Sequence, residues 1–584
     1  MSQVSAVNHR IKTAFLIILG TLFLISLRLF YWQVIRSQTL KSAASKQLSA
    51  QNTIKGQRGK IFTADNKLLV GNTTVYDLYV NKNELKIEQD NLIEQLINLF
   101  ETFHLQQIQD EKNGNEEVSQ NFKEFSSDEF RQKLKNALDR TSSWILLSSS
   151  LCEELKTLVE SSRITGLHFI EQSVRHYPEG SMAAHITGFV GSDEDGLNVG
   201  FYGIEGALNK ELKGQEKIIR YKQDAQGQQL ADQKLDFSSL DGRDVTLTIR
   251  RDIQFIATEE LKKGVAQTQS KKGEIVIMDP KTGAILAMAT WPHYDPQEYH
   301  LTPTEVLKNP ILTDLYEPGS IFKIFTIATG IDTQAITPET ICDNCSGPRV
   351  FGDFAIRTWN NEYNPNISMT DALKKSDNVA LVYAVEKIGG ENFINYLKKF
   401  GIGDALEIDL QEDRSTPLRD KLRPVELANA SFGQGFLTNS LQLVRAAGAI
   451  ANQGIMMRPY IVQEVSDSQT QGKIIHEPQI LKKVLEKESA NTVTKMMINS
   501  APTRGNWVDQ HFLIAGKTGT AQIASSEGGY RETGTIASFL GFAPADDPKF
   551  VMIVKLTEPL LSPWAEVTAV PIWYDVADKI MLVL

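Results

Sequence analysis

Cysteine is nearly absent from this 584-residue chain, and the little there is excludes a metal scaffold. Cys152 stands alone, and Cys342-Asp343-Asn344-Cys345 is a single Cys-x-x-Cys without the second pair that a structural zinc site needs. No strand–helix–strand pattern surrounds it, which argues against a thioredoxin-like redox motif. A local loop disulfide and two unpaired thiols both stay open. Positive charge is short as well. The 61 Lys and Arg against 71 Asp and Glu leave a formal net charge of -10, which argues against a nucleic-acid partner. No internal repeat or low-complexity tract occurs. Acidic residues are missing from the whole N-terminal stretch, the first being Asp65.

What is present is the composition of a globular protein, 41% hydrophobic and 23% charged, on a chain too long for one core. Two or three domains are expected. Residues 14–35, "AFLIILGTLFLISLRLFYWQVI", are apolar apart from Thr21, Ser26, Arg28 and Gln33. As a helix they reach roughly 33 Å at about 1.5 Å per residue, enough to cross a bilayer. Phe30, Tyr31 and Trp32 lie where an interfacial aromatic belt belongs. A cleaved signal peptide is the alternative, but no clear small-x-small site follows the run, so an uncleaved anchor is the reading adopted. Arg10 and Lys12 precede the segment while Arg36, Lys41 and Lys46 follow it, so flanking charge does not decide orientation.

Residues 36–242 are mixed and polar, and within them about 101–160 reads as solvated helices of a surface subdomain, as in "SSDEFRQKLKNAL". From 243 to 584 the pattern is denser. "DVTLTI" alternates like a strand and "RDIQFIATEELKKGVAQT" has helical periodicity. "GEIVIMD" and "AILAMAT" read as a hairpin joined by "PKTG". "HFLIAGKTGTAQIA", "TIASFLGFA" and "KFVMIVKL" are three successive strand candidates of an antiparallel sheet.

Lys-Thr-Gly occurs twice. Lys281-Thr282-Gly283 follows Asp279-Pro280 and reads as turn chemistry, with Gly283 available for positive φ. Lys517-Thr518-Gly519-Thr520 lies on a strand. Only one lysine has a serine three residues before it: Ser320-Ile321-Phe322-Lys323, where Pro318-Gly319 breaks the chain and an apolar helix follows. That spacing puts both side chains on one face at the positive end of the helix. A serine is a nucleophile only if a base takes its proton, and a lysine half-buried in an apolar helix has its pKa lowered towards that task. Ser376-Asp377-Asn378 lies between two helical stretches. Ser-x-Asn also occurs at Ser119-Gln120-Asn121 and Ser489-Ala490-Asn491, so order carries the signal. Ser-x-x-Lys, then Ser-Asp-Asn, then Lys-Thr-Gly on a strand is the serine acyltransferase set.

With these motifs the chain resembles the class B penicillin-binding proteins, the membrane-anchored peptidoglycan transpeptidases of bacteria. The likeness covers nearly the whole chain. "GQRGKI", "RHYPEGSMAAHITGFVG" and "YGIEGALNKELKG" are similar to the family's non-catalytic boxes. "DPKTGAILAMATWPHYDP" resembles the opening hairpin of its catalytic domain, and "SFGQGFLTNSLQLVRAAGAIANQG" the helix region before the last motif. Arg250 stands where the family usually has an aspartate, and Asp295-Pro296-Gln297 replaces a usual Asp-Pro-Asn. "ILTDLYEPGSIFK" and "RHYPEG" look more like the septal, FtsI-like branch than the elongation branch.

The resemblance implies a multi-domain α+β chain. Its parts are a cytoplasmic N-terminus (1–13), one transmembrane helix (14–35), a pedestal (36–242), and a transpeptidase domain (243–584) with an antiparallel sheet flanked by helices. It implies that Ser320 attacks the penultimate D-alanine of a D-Ala-D-Ala stem peptide with Lys323 as general base. Ser376 would relay a proton to the leaving amine, and Asn378 would orient Lys323 and the substrate amide. Lys517 would add positive potential, and Thr518, Gly519 and Thr520 would form the strand that holds the substrate carboxylate. The N–H groups of Ser320 and Thr520 would form the oxyanion hole. An amine of a neighbouring stem would resolve the acyl-enzyme as a cross-link, with no metal and no cofactor.

The implied partners are peptidoglycan stem peptides, β-lactams as covalent inhibitors, the cytoplasmic membrane, a SEDS glycosyltransferase and division proteins. Residues after about 36 would be extracytoplasmic. The rival readings are a β-lactamase or D,D-carboxypeptidase of the same fold, and a non-catalytic penicillin-sensing scaffold.

Overall fold

The computed structural model describes residues 2–41, 49–112, 125–222, 240–467, 470–502, 512–525 and 529–584. Two compact units emerge. The smaller comprises residues 1–57 and 214–242, and the larger residues 58–213 and 243–584.

In the smaller unit α1 (Ser2–Phe30) continues through the turns Tyr31–Ile35. The stretch Asn8–Ile35 is long and apolar enough to cross a membrane. Strands Ser49–Lys55 and Glu216–Lys222 pair antiparallel, Ser49 opposite Lys222.

The first part of the larger unit hangs on the long strand Leu68–Asn81, which pairs antiparallel with Trp144–Leu151 and Leu167–His176. Helices Gln89–Lys112, Ser127–Leu138 and Glu153–Ser161 close a small core of Leu92, Leu96, Phe100, Leu134 and Leu155 over one face. Ser126 starts the second helix, its hydroxyl accepting from Glu129 N. The solvated helices expected over about 101–160 therefore have buried inner faces, with the strand Trp144–Leu151 threaded between them. Residues 113–124 of that stretch, including Ser119-Gln120-Asn121, lie outside the described residues. Strand Asp244–Leu247 joins the same sheet, parallel to Ile61–Phe62 and antiparallel to Val462–Ser466.

The three boxes quoted from this region meet in one buried cluster. The Glu205 carboxylate, fully buried, accepts from Arg58 Nε and from Arg175 Nε, each at 2.6 Å. Asn209 Oδ1 takes Arg58 Nη1 at 2.8 Å, and Asn72 bridges Arg58 O and Arg175 Nη1. Two guanidiniums sharing one carboxylate satisfy charges that burial would otherwise penalise.

The second part is built on a five-stranded antiparallel sheet: β1 (Lys272–Met278), β2 (Ile285–Trp291), β3 (Ala515–Ala524), β4 (Tyr530–Ala543) and β5 (Phe550–Thr557), in the order β2-β1-β5-β4-β3. Its strands are apolar at successive positions because both faces are covered. Ile275 and Ile277 face helices Arg251–Thr268 and Ala569–Ile580, while Val276 and Met278 face the opposite layer. That layer holds α2 (Lys323–Asp332), α3 (Asn378–Ile388) and α4 (Ser440–Ala451). The hairpin, the sheet and the helices stand where the sequence pattern puts them. Among the described residues β3 is an edge strand.

Candidate active site

Ser320 lies in a 3₁₀ turn, Gly319–Phe322, that runs into α2. Gly319 makes the turn possible. Its φ is +61°, its N–H donates to Gly433 O at 2.9 Å, and a Cβ on it would stand 3.0 Å from Ala521 Cβ on β3.

Lys323 opens α2 one turn later and is fully buried, not half-buried as its sequence setting suggests. The helix it sits in is enclosed on every side by the layer above the sheet. Its Nζ donates to Ser376 O at 2.6 Å, to Ser376 Oγ at 3.1 Å and to Asn378 Oδ1 at 2.7 Å. Those acceptors converge because of one tight turn. Ser376 adopts φ +56°, and Asp377 caps α3 by accepting from Ala380 N at 3.1 Å. Asn364 donates to the other Asp377 oxygen at 2.9 Å, and Asn378 Nδ2 donates to Arg357 O at 3.0 Å, which turns Oδ1 towards the lysine. The competing triplet Ser489-Ala490-Asn491 lies within helix Lys487–Ser500, with Ser489 half-buried, Ala490 buried and Asn491 exposed.

Lys517 on β3 is buried as well, its Nζ donating to Thr518 O at 3.0 Å and to Thr518 Oγ1 at 3.3 Å. Burial pushes its pKa down to about 8, with Glu566 opposing. Burial lowers Lys323 well below the usual lysine range, and the Lys517 charge pushes the same way.

Gly519 explains the third letter of the motif. A Cβ there would lie 2.7 Å from Ile321 Cγ2 and 2.9 Å from Ser538 Oγ, so the turn carrying Ser320 packs directly on the β3 backbone. Thr520 is half-exposed on the same strand. Ser320, Lys323, Ser376, Asn378 and the Lys517–Thr520 strand are thus brought together on one side of the sheet.

The other Lys-Thr-Gly is a turn. Thr282 Oγ1 donates to Asp279 Oδ2 at 2.8 Å, Lys281 Nζ pairs with Asp547 at 2.5 Å, and Gly283 has φ +84° with Arg458 O 2.2 Å from any Cβ. Cys342 and Cys345 form a disulfide, which resolves the two readings left open. Arg250, at the atypical position, is the N-cap residue of helix Arg251–Thr268, and its guanidinium pairs with Asp252 at 2.6 Å.

Two features near the site carry no sequence signal. Glu274 and Lys555 form a buried ion pair at 2.5 Å, with Ser440 Oγ donating to Glu274 and the ammonium 4.3 Å over Tyr316. Glu317 accepts from Gly435 N and from Tyr530 OH. Only cross-strand register and chain reversal make these neighbours.

Residues 273–578 match the penicillin binding protein transpeptidase domain, and residues 53–247 the penicillin-binding protein dimerisation domain. The chain belongs to the penicillin-binding protein transpeptidase family. Among its relatives, Stage V sporulation protein D of Bacillus subtilis is 29% identical over 568 residues, 95% of this chain and 83% of that protein. Peptidoglycan D,D-transpeptidase FtsI of Escherichia coli is 30% identical over 430 residues, 71% of this chain and 68% of that protein. The fold is shared with penicillin binding protein 2X of Streptococcus thermophilus, at a TM-score of 0.70 and 21% identity, covering 91% of this chain and 80% of that one. Penicillin binding protein 3 of Mycobacterium tuberculosis, solved with aztreonam, has a TM-score of 0.65 and 21% identity over 91% of this chain and 97% of that one. In this penicillin-binding protein the dimerisation region precedes the catalytic domain, as expected for class B.

Proposed function

We propose that this penicillin-binding protein cross-links peptidoglycan by acyl transfer through Ser320. The observation that carries the reading is the buried Lys323 amine, one helical turn from Ser320, bound to Ser376 O, Ser376 Oγ and Asn378 Oδ1. Two of these are carbonyl oxygens that can only accept. They would take the two hydrogens of a neutral amine, whose lone pair then faces hydroxyls: Ser376 Oγ, which turns its own hydrogen towards it at 3.1 Å, and Ser320 Oγ, which displaces it on attack.

Ser320 Oγ gives that proton to Lys323 and bonds to the carbonyl carbon of the penultimate D-alanine. The C–N bond to the last D-alanine breaks, and its nitrogen takes a proton through Ser376 Oγ. An amine of a second stem then attacks the ester, its proton returns to Ser320, and the cross-link is released. β3, an edge strand, offers the substrate backbone an extended partner, as strand addition requires. Lys517 and the Thr518 and Thr520 hydroxyls hold the terminal carboxylate, and the N–H groups of Ser320 and Thr520 stabilise the oxyanion. A β-lactam, which mimics D-Ala-D-Ala, acylates the same oxygen.

α1 anchors the chain in the cytoplasmic membrane with residues after about 36 outside, where the substrate is. Septal synthesis with a SEDS glycosyltransferase and division proteins is the cellular setting this reading favours, on the likeness of "ILTDLYEPGSIFK" and "RHYPEG" to the FtsI-like branch.

Fluorescent penicillin should label the detergent-solubilised chain covalently and leave Ser320→Ala unlabelled. Equal labelling of the two would remove Ser320 as nucleophile. Cross-linking of a lipid-linked precursor tests the transfer itself, and rapid turnover of a chromogenic cephalosporin would point to a β-lactamase instead.

A further inference from the structure

Ser320 and the strand that would receive the substrate belong to different layers, so something must hold their spacing. On its helical side the segment before Ser320 is stitched to one loop. Tyr316 and Thr438 exchange two backbone hydrogen bonds at 2.9 Å, and Gly319 N donates to Gly433 O at 2.9 Å. Between them Glu317 Oε1 accepts from Gly435 N, also at 2.9 Å.

Towards the sheet, Gly319 and Ile321 lie against Ala521 and Gly519 by van der Waals contact. Such contact sets how close two layers come but not how far one slides along the other. A directional link is present at Glu317. Its second oxygen, Oε2, accepts from Tyr530 OH at 2.8 Å. Tyr530 opens β4 and stands opposite Ala524 at the far end of β3. The next residue is held too, Arg531 pairing with Glu558 at 3.1 Å. Tyr530 is 38% exposed, and its partial burial together with the facing carboxylate raises the phenol above the usual tyrosine range, so it remains a donor.

We propose that Glu317 and Tyr530 are positioning residues: a polar clip, three residues before Ser320, that sets the register between the nucleophile turn and the β3–β4 hairpin for acylation. The inference rests on Ser320 being the nucleophile. One carboxylate takes a hydrogen bond from the Gly435 loop and another from the β3–β4 hairpin, and hydrogen bonds to a carboxylate are shorter and stronger than neutral ones. Attack needs Ser320 Oγ and the β3 backbone donors to address one carbonyl together, a geometry that small misplacements degrade steeply. The clip therefore acts on the chemical step more than on binding.

Tyr530→Phe deletes one oxygen and tests this in the full chain. Stopped-flow acylation by a chromogenic cephalosporin separates the pre-acylation dissociation constant from the acylation rate constant. The expected result is a rate constant lowered about tenfold with the dissociation constant changed less than about twofold. Glu317→Gln should act similarly, and the double variant should be no slower than the worse single one, since both break one link. A rate constant within about twofold of the parent in Tyr530→Phe overturns the proposal, whatever its melting temperature does. So does a weakened dissociation constant at an unchanged rate constant, which would make Tyr530 a ligand contact. Additive losses in the double variant overturn it too. Failure of the parent chain to acylate at all would instead sink the reading of Ser320.

Discussion

Lys323 and Lys517 are both buried lysines, yet the surroundings suit them to opposite protonation states. Burial and the neighbouring ammonium favour neutral Lys323, whereas Lys517, pushed down only to about 8, keeps its charge at neutral pH. Acylation should rise with pH as Lys323 loses its proton. It should fall again as Lys517 discharges near 8, because the carboxylate of the ligand then loses its counter-charge. The profile is bell-shaped. Acylation rate constants measured from about pH 5 to 10 check it. In Lys517→Arg, whose guanidinium stays charged throughout, the alkaline limb should disappear. A limb that stays near 8 in that variant would assign it to another group.

The two Lys-Thr-Gly elements separate stability from catalysis. A Cβ at Gly519 collides with Ile321, next to Ser320, so Gly519→Ala should push the turn that carries Ser320 away from β3. We expect acylation to drop about tenfold or more, with an overpacking cost of about 1–3 kcal/mol. At Gly283 the conflict is with Arg458 O and a φ of +84°, far along the sheet from the motif strand. Gly283→Ala should cost about 1–3 kcal/mol of stability while folded molecules acylate at the parent rate. Melting curves and active-site titration of the two variants distinguish these outcomes. The strand and turn assignments of the two copies were legible from flanking residues, since Asp279-Pro280 is turn chemistry and "HFLIAGKTGTAQIA" is an extended run. The strand Trp144–Leu151 was not, because "WILLSSSL" mixes apolar residues with serines inside a stretch dominated by helical spacing.

Across the larger unit, Arg58, Arg175 and Glu205 tie together segments far apart in the chain. Removing the shared carboxylate strands two largely buried guanidiniums. Glu205→Gln should therefore destabilise by about 3–5 kcal/mol, read as a lower urea midpoint of the solubilised chain. The surviving folded fraction should still acylate, since none of the three residues touches the site. An unchanged midpoint would mean that water reaches the cluster.

The residue types, their order and their local settings were determined by the sequence itself. Ser-x-x-Lys at a helix start, Ser-Asp-Asn in a turn and Lys-Thr-Gly on a strand are short-range patterns, fixed by helical spacing, breakers and alternation. So are the apolar span of α1 and the hairpin β1–β2. Tertiary structure alone decided how deeply Lys323 is buried, that Ser376 O and Oγ join Asn378 as its partners, and that Glu317 meets Tyr530. It also decided that three distant boxes share Glu205 and that Lys555 finds Glu274. Each of these depends on distance between segments far apart in the chain. That distance is set by sheet register and layer packing, which no local pattern encodes.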